Sequence, residues 1–176
     1  NQTAAAYPRD KCIHELFEAQ VERTPAAVAV VFEGRQLTYR ELNERANQLA
    51  HQLRKYEVGP DVLVGLMVER SPSMVIAVLG ILKAGGAYVP LDPTYPKKRL
   101  ADMICDCQTQ ILITQGSLLG LCDELKCMSS AKKNNCAYDI FCLDGIKSEP
   151  VAGSDKNPEI LTTSRNLAYV IFTSGS

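Results

Sequence analysis

Most features that would place this chain in a special class are missing. Nineteen lysines and arginines stand against twenty aspartates and glutamates, a formal net charge of -1, so no excess charge drives it toward nucleic acid or an anionic membrane. No apolar run reaches the length of a membrane span, and Asn1 to Asp10 lacks the basic-then-apolar order of a secretory signal. These absences lead to the expectation of a cytoplasmic protein with no nucleic-acid partner and no membrane partner. No G-x-G-x-x-G follows an apolar run, which disfavours a dinucleotide-binding oxidoreductase. No C-x-x-C occurs among the seven cysteines, and His14 and His51 lie far upstream of Cys105 to Cys142. Structural zinc sites show tighter paired spacing, so no metal site is expected. An odd cysteine count without a signal sequence reads as free thiols in a reducing compartment, serving as small apolar fillers. There is also no internal repeat.

What is present is an ordinary globular composition, 176 residues with 46% hydrophobic and 22% charged, enough for one core. Asn1 to Asp10 carries no periodicity and reads as a linker, residues 1–10, leaving 11–176 as the folded part. Ile13, Leu16, Phe17 and Val21 recur at helical spacing until Thr24-Pro25. Ala26 to Phe32 reads as a strand, followed by a turn at Glu33-Gly34-Arg35 and a short second strand. Thr38 and Glu41 have the spacing of a capping box, which predicts a helix with Leu42, Ala46, Leu49, Ala50 and Leu53 on one face. Val62 to Val68 suits a strand buried on both sides. Ser71 is expected to cap the next helix, Pro72 to occupy its first position and Gly85-Gly86 to stop it. Strands at Ala87 to Leu91 and Gln110 to Thr114 flank a helix after Pro96. A further helix from Ser117 to about Lys126 and a strand from Tyr138 to Leu143 follow. Gly145 to Pro158 reads as a surface loop. The alternation predicts an α/β fold, an open, mostly parallel sheet with flanking helices.

The last apolar strand, Leu167 to Phe172, runs directly into Thr173-Ser174-Gly175-Ser176. Small residues let a backbone approach an anion, amides point inward, and hydroxyls donate to phosphate oxygens, so this pattern suits a phosphate loop. On spacing alone a plain strand-to-turn connection is the favoured reading, because only four loop residues remain and no lysine follows as in a P-loop. Elsewhere the residue types have structural explanations. Lys83 reads as a solvated charge favoured by the helix dipole at a helix end. Asp92, before Pro93, reads as a turn residue, and neither His14 nor His51 has a catalytic constellation around it.

Three segments carry a family resemblance: Leu37-Thr38-Tyr39-Arg40-Glu41-Leu42, Leu82-Lys83-Ala84-Gly85-Gly86-Ala87-Tyr88-Val89-Pro90-Leu91-Asp92, and Leu167 through Ser176. In this order they resemble successive core motifs of nonribosomal peptide synthetase adenylation domains. Ile13 to Glu18 is similar to the family's first helix, and Asp92-Pro93-Thr94-Tyr95-Pro96 continues the second motif. The resemblance implies the first part of the large N-terminal subdomain of an adenylate-forming enzyme, truncated at its carboxyl end, with residues 1–10 leading from an upstream condensation domain. It further implies that the parent activates an amino acid with ATP and Mg2+ to aminoacyl-AMP, releasing pyrophosphate, and loads it on the phosphopantetheine of a peptidyl-carrier domain. Thr173, Ser174, Gly175 and Ser176 match the start of the family's ATP phosphate loop. Phe172 stands where many relatives have tyrosine. The family's remaining site residues match nothing in this sequence, so no catalytic residue is expected here and the segment alone is expected to be inactive. The competing reading is a noncatalytic interaction remnant of a truncated synthetase.

Overall fold

The computed structural model describes residues 8–130, 136–145 and 154–173. Its first helix, α1 (Ile13–Arg23), begins where the Cys12 amide donates to Glu15 Oε2 at 2.7 Å. Strands β1 (Val28–Phe32) and β2 (Arg35–Thr38) form an antiparallel hairpin closed by Glu33 and Gly34, both at positive φ. The hairpin hands over to α2 (Tyr39–Lys55) through the capping box expected there. The Glu41 amide donates to Thr38 Oγ1 at 3.2 Å, and the Thr38 amide donates to Glu41 Oε2 at 2.8 Å. Two of the helix's orphan amide donors are thereby satisfied.

Four short strands form the main sheet: β3 (Leu63–Leu66), β4 (Ala87–Pro90), β5 (Ile111–Thr114) and β6 (Asp139–Cys142). Their order is β4-β3-β5-β6 and every pairing is parallel. Period-two alternation divides their side chains between two cores. Val64, Leu66, Ile111 and Ile113 meet the apolar faces of α2 and α3 (Pro72–Ala84) on one side. Met67, Val89 and Leu112 meet α4 (Lys97–Asp106) and α5 (Leu119–Ser130) on the other. This is the α/β architecture with flanking helices that the alternating pattern predicts. A 3-10 turn at Gly116–Leu118 precedes α5, so that helix starts later and runs further than its periodicity indicates.

The two ends of α3 are built differently. Gly85 takes φ +104, and the Gly85 and Gly86 amides donate to Leu82 and Ile81 carbonyls at 3.1 and 3.0 Å, closing the helix with the left-handed stop expected of glycine. At the other end Ser71 does not cap: its hydroxyl donates backwards to the Glu69 carbonyl at 3.3 Å. Pro72, which has no N–H to satisfy, sits at the first helical position beside it.

Leu167 to Phe172 is not a full strand. It lies parallel to β4 and joins it through one bridge, with the Tyr88 amide donating to Ala168 O at 3.1 Å and the Val170 amide to Tyr88 O at 3.0 Å. Residues 87 and 91 direct their amides toward β3, at Val62 O and Leu66 O, so the even-numbered residues face the new segment. The next donor in that direction is position 90, a proline, and the ladder stops there.

None of the seven cysteines, all of them among the described residues, is in a disulfide. No helix among the described residues is long and apolar enough to cross a membrane.

Candidate functional site

Because β3, β4 and the segment beside β4 all run the same way, they finish on one edge of the sheet. In open parallel sheets ligands are taken up at this carboxyl edge. Thr173 stands there, exposed, one residue beyond Phe172; Ser174, Gly175 and Ser176 lie outside the described residues. Val170 and Phe172 pack against the core under α4 and α5, which fixes the approach to Thr173. The Phe172 ring also forms a wall of a cleft of about 480 Å³, together with Leu66, Pro90, Asp92, Thr94 and Ile171.

On the rim of that cleft, Asp92 accepts from the Thr94 hydroxyl at 2.7 Å and the Thr94 amide at 2.9 Å. These bonds hold its carboxyl below the ordinary carboxylate value, with a smaller contribution from Arg70. A carboxylate committed to its own turn in this way makes a poor proton acceptor, which agrees with the turn role read from Asp92-Pro93.

Lys83 overturns its expected role. It is 2% exposed, paired with Glu18 of α1, and its ammonium lies 6.0 Å from the Phe17 ring centroid. The signal available in sequence is that α3, from Met74 to Ala84, has no polar residue but Lys83 itself, and a helix apolar all round is buried all round. His14 is also buried, and desolvation holds its imidazole below the ordinary value. His51 is engaged with the Lys156 carbonyl at 3.0 Å.

The stretch leading to Thr173 is tied down by residues that no motif singles out. Asn43, Asn47, His51 and Arg54 recur every three or four residues and so share one stripe of α2. Asn43 Nδ2 and Asn47 Nδ2 donate to Asn157 Oδ1 at 2.9 and 3.0 Å, and Lys83 Nζ donates to the same oxygen at 3.2 Å. Asn47 also reaches Asp155 O at 2.6 Å, and Arg54 donates to Glu159 O. Further along, Asp61 accepts from the Leu167 amide at 2.8 Å and from Asn166 Nδ2 at 3.0 Å. Each of these pairs spans seventy or more positions of sequence, beyond the reach of any local pattern.

A parallel sheet with Thr173 exposed at its carboxyl edge is the setting in which the comparisons with known proteins fall. The sequence profile described as AMP-binding enzyme matches residues 17–176. The chain belongs to the AMP-binding enzyme family. Along its whole length this AMP-binding chain is 49% identical to part of tyrocidine synthase 3 of Brevibacillus parabrevis, and it spans 3% of that protein. It is 46% identical, again over its whole length, to part of bacitracin synthase 1 of Bacillus licheniformis, spanning 3% of it. Among solved structures, the nonribosomal peptide synthetase FmoA3 with α-methyl-L-serine-AMP bound superposes with a TM-score of 0.80 at 33% identity. That match covers 98% of this chain and 18% of FmoA3. The chain therefore spans only a small part of the relatives it matches.

Proposed function

We propose that residues 11–176 are the front of an amino-acid adenylation domain in a nonribosomal peptide synthetase, joined by residues 1–10 to a condensation domain upstream. The observation that carries this reading is Thr173 at the carboxyl edge of the parallel sheet, at the head of Thr-Ser-Gly-Ser, in a chain of the AMP-binding family. Thr173, Ser174, Gly175 and Ser176 then begin the loop that receives the β- and γ-phosphates of ATP with Mg2+. The three hydroxyls and the backbone amides donate to phosphate oxygens, and Gly175 permits close backbone approach. Bound ATP supplies the α-phosphorus attacked by the amino-acid carboxylate, with pyrophosphate leaving. Phe172 and Val170 anchor the chain in the core as far as Thr173, which holds that hydroxyl at the sheet edge before substrate arrives. The aminoacyl group passes to the phosphopantetheine of a peptidyl-carrier domain in the same protein.

Amino-acid-dependent exchange of pyrophosphate into ATP by the parent synthetase tests this. Exchange with one preferred amino acid is expected, with Thr173→Ala and Ser174→Ala each raising KM for ATP. A folded synthetase that exchanges with no amino acid, or whose loop variants leave KM for ATP unchanged, overturns the assignment.

A further inference from the structure

We propose that Asp61 is a positioning residue for the phosphate loop, acting through the register of the segment beside β4. The inference rests on the loop assignment above. Asp61 lies in the turn before β3 with φ +63, a left-handed conformation that aspartate and asparagine tolerate better than other side chains. From there its two carboxylate oxygens take separate partners. Oδ1 accepts from the Leu167 backbone amide at 2.8 Å, and Oδ2 accepts from Asn166 Nδ2 at 3.0 Å.

Asn166 is itself fixed the other way round, since its Oδ1 accepts from the Thr163 amide at 2.9 Å and the Thr163 hydroxyl at 3.2 Å. The amide cannot flip to suit a changed partner without losing those bonds. Immediately after Leu167 come the bonds of Ala168 and Val170 to Tyr88. Those are the whole of the backbone pairing among the described residues, because Pro90 ends the ladder. A parallel strand slipped by one residue exchanges its two faces, and a single bridge gives little resistance to slipping. Asp61 supplies the resistance. It gives the amide at position 167 a fixed place, so Val170 and Phe172 enter the core and Thr173 emerges at the carboxyl edge. A slip of one position would put Ile171 in place of Phe172 and move Thr173 from its place at the edge.

The test is made in the parent synthetase. Asp61→Asn keeps the left-handed backbone but sets Nδ2 of position 61 against Nδ2 of Asn166, donor against donor. Adding Asn166→Asp restores the pairing with its polarity reversed, and the new carboxylate still accepts from Thr163. In Asp61→Asn, KM for ATP is expected to rise about fivefold with kcat and the KM for amino acid little changed. Amide hydrogen exchange at Leu167 and Val170 is expected to speed up by a similar factor. The double variant should recover both.

Two results overturn the proposal. One is unchanged KM for ATP in Asp61→Asn when Thr173→Ala and Ser174→Ala do raise it; failure of those loop variants would instead remove the underlying assignment. The other is a loss spread equally over kcat and both KM values that the double variant does not reverse, since that describes general destabilisation.

Discussion

The ammonium of Lys83 in α3 and the carboxylate of Glu18 in α1 form an ion pair sealed inside the fold, the lysine side chain having no exposed surface and that of Glu18 being 14% exposed. Taking two charges out of water costs several kcal/mol each, which their attraction offsets only while both are present. Glu18→Ala should therefore lower stability by about 3–5 kcal/mol by leaving the ammonium unpaired. The double variant Glu18→Leu with Lys83→Met should recover most of that loss. Urea unfolding of the three proteins decides it, and a Glu18→Ala protein as stable as the parent would contradict the buried pair.

His14 sets a pH dependence of predictable sign. Burial is the chief cause of its lowered pKa; Glu18 and Glu15 oppose the shift, while Lys83 and Arg54 add to it. The folded state thus binds fewer protons than the unfolded state, whose histidine titrates near 6.5. Stability contributed through this residue is full above that value and is lost as pH falls through it toward the lower folded value. Between about pH 8 and about pH 5 the unfolding free energy of His14→Leu should fall less steeply than that of the parent. Equal slopes would rule out a folded-state shift.

At Gly80, α3 packs directly on Leu49 of α2. A Cβ placed there would lie 2.6 Å from Leu49 Cδ2 and 3.0 Å from Leu49 Cβ, too near the α2 backbone for the leucine to swing clear. Gly80→Ala should cost about 1–3 kcal/mol through overpacking, despite alanine's better helix propensity. In a Leu49→Ala background, which removes Cγ and both Cδ atoms but keeps Cβ, the same change should cost less, and thermal unfolding of the four-protein cycle measures the difference.

The two ends of α3 should respond unequally to alanine. Ser71→Ala removes a hydroxyl that caps nothing and should change stability by no more than about 0.5 kcal/mol. Gly85→Ala places a side chain at φ +104, within 3.4 Å of the Gly59 and Pro60 backbone, and should cost about 1–3 kcal/mol. Urea midpoints of the two variants check the order.

Local grammar made much of the fold legible. The Thr38–Glu41 box, Pro72 and Gly85 mark helix ends because each solves a problem within four residues of chain, and the apolar runs of β3 and β5 need only their own composition to read as buried strands. Legibility ends where the decisive partner is distant. Lys83 beside a glycine stop resembles a solvated helix end, and only α1, far upstream, turns it into a buried charge. The run 167–172 is as apolar as a strand, yet its pairing is decided by Pro90 in a different strand. At the candidate site Thr173 heads a motif visible in the sequence, whereas Asp61, Asn157 and Asn166 occupy loops with no periodicity, and their contacts exist only once the chain has closed on itself.

The polar stripe on α2 also dictates an order of assembly. Helices α2 and α3 are near neighbours in sequence and can associate early, but Asn43, Asn47 and Lys83 then await a single oxygen on Asn157 that follows more than seventy residues after the lysine. Contacts of such long sequence separation are slow to form, because loop closure comes before any bond rewards it. During synthesis on the ribosome, α2 and α3 are complete while their acceptor is still unmade. Docking of 155–170 is therefore a late step that satisfies the donors on the α2–α3 pair and brings Thr173 to the sheet edge in the same motion.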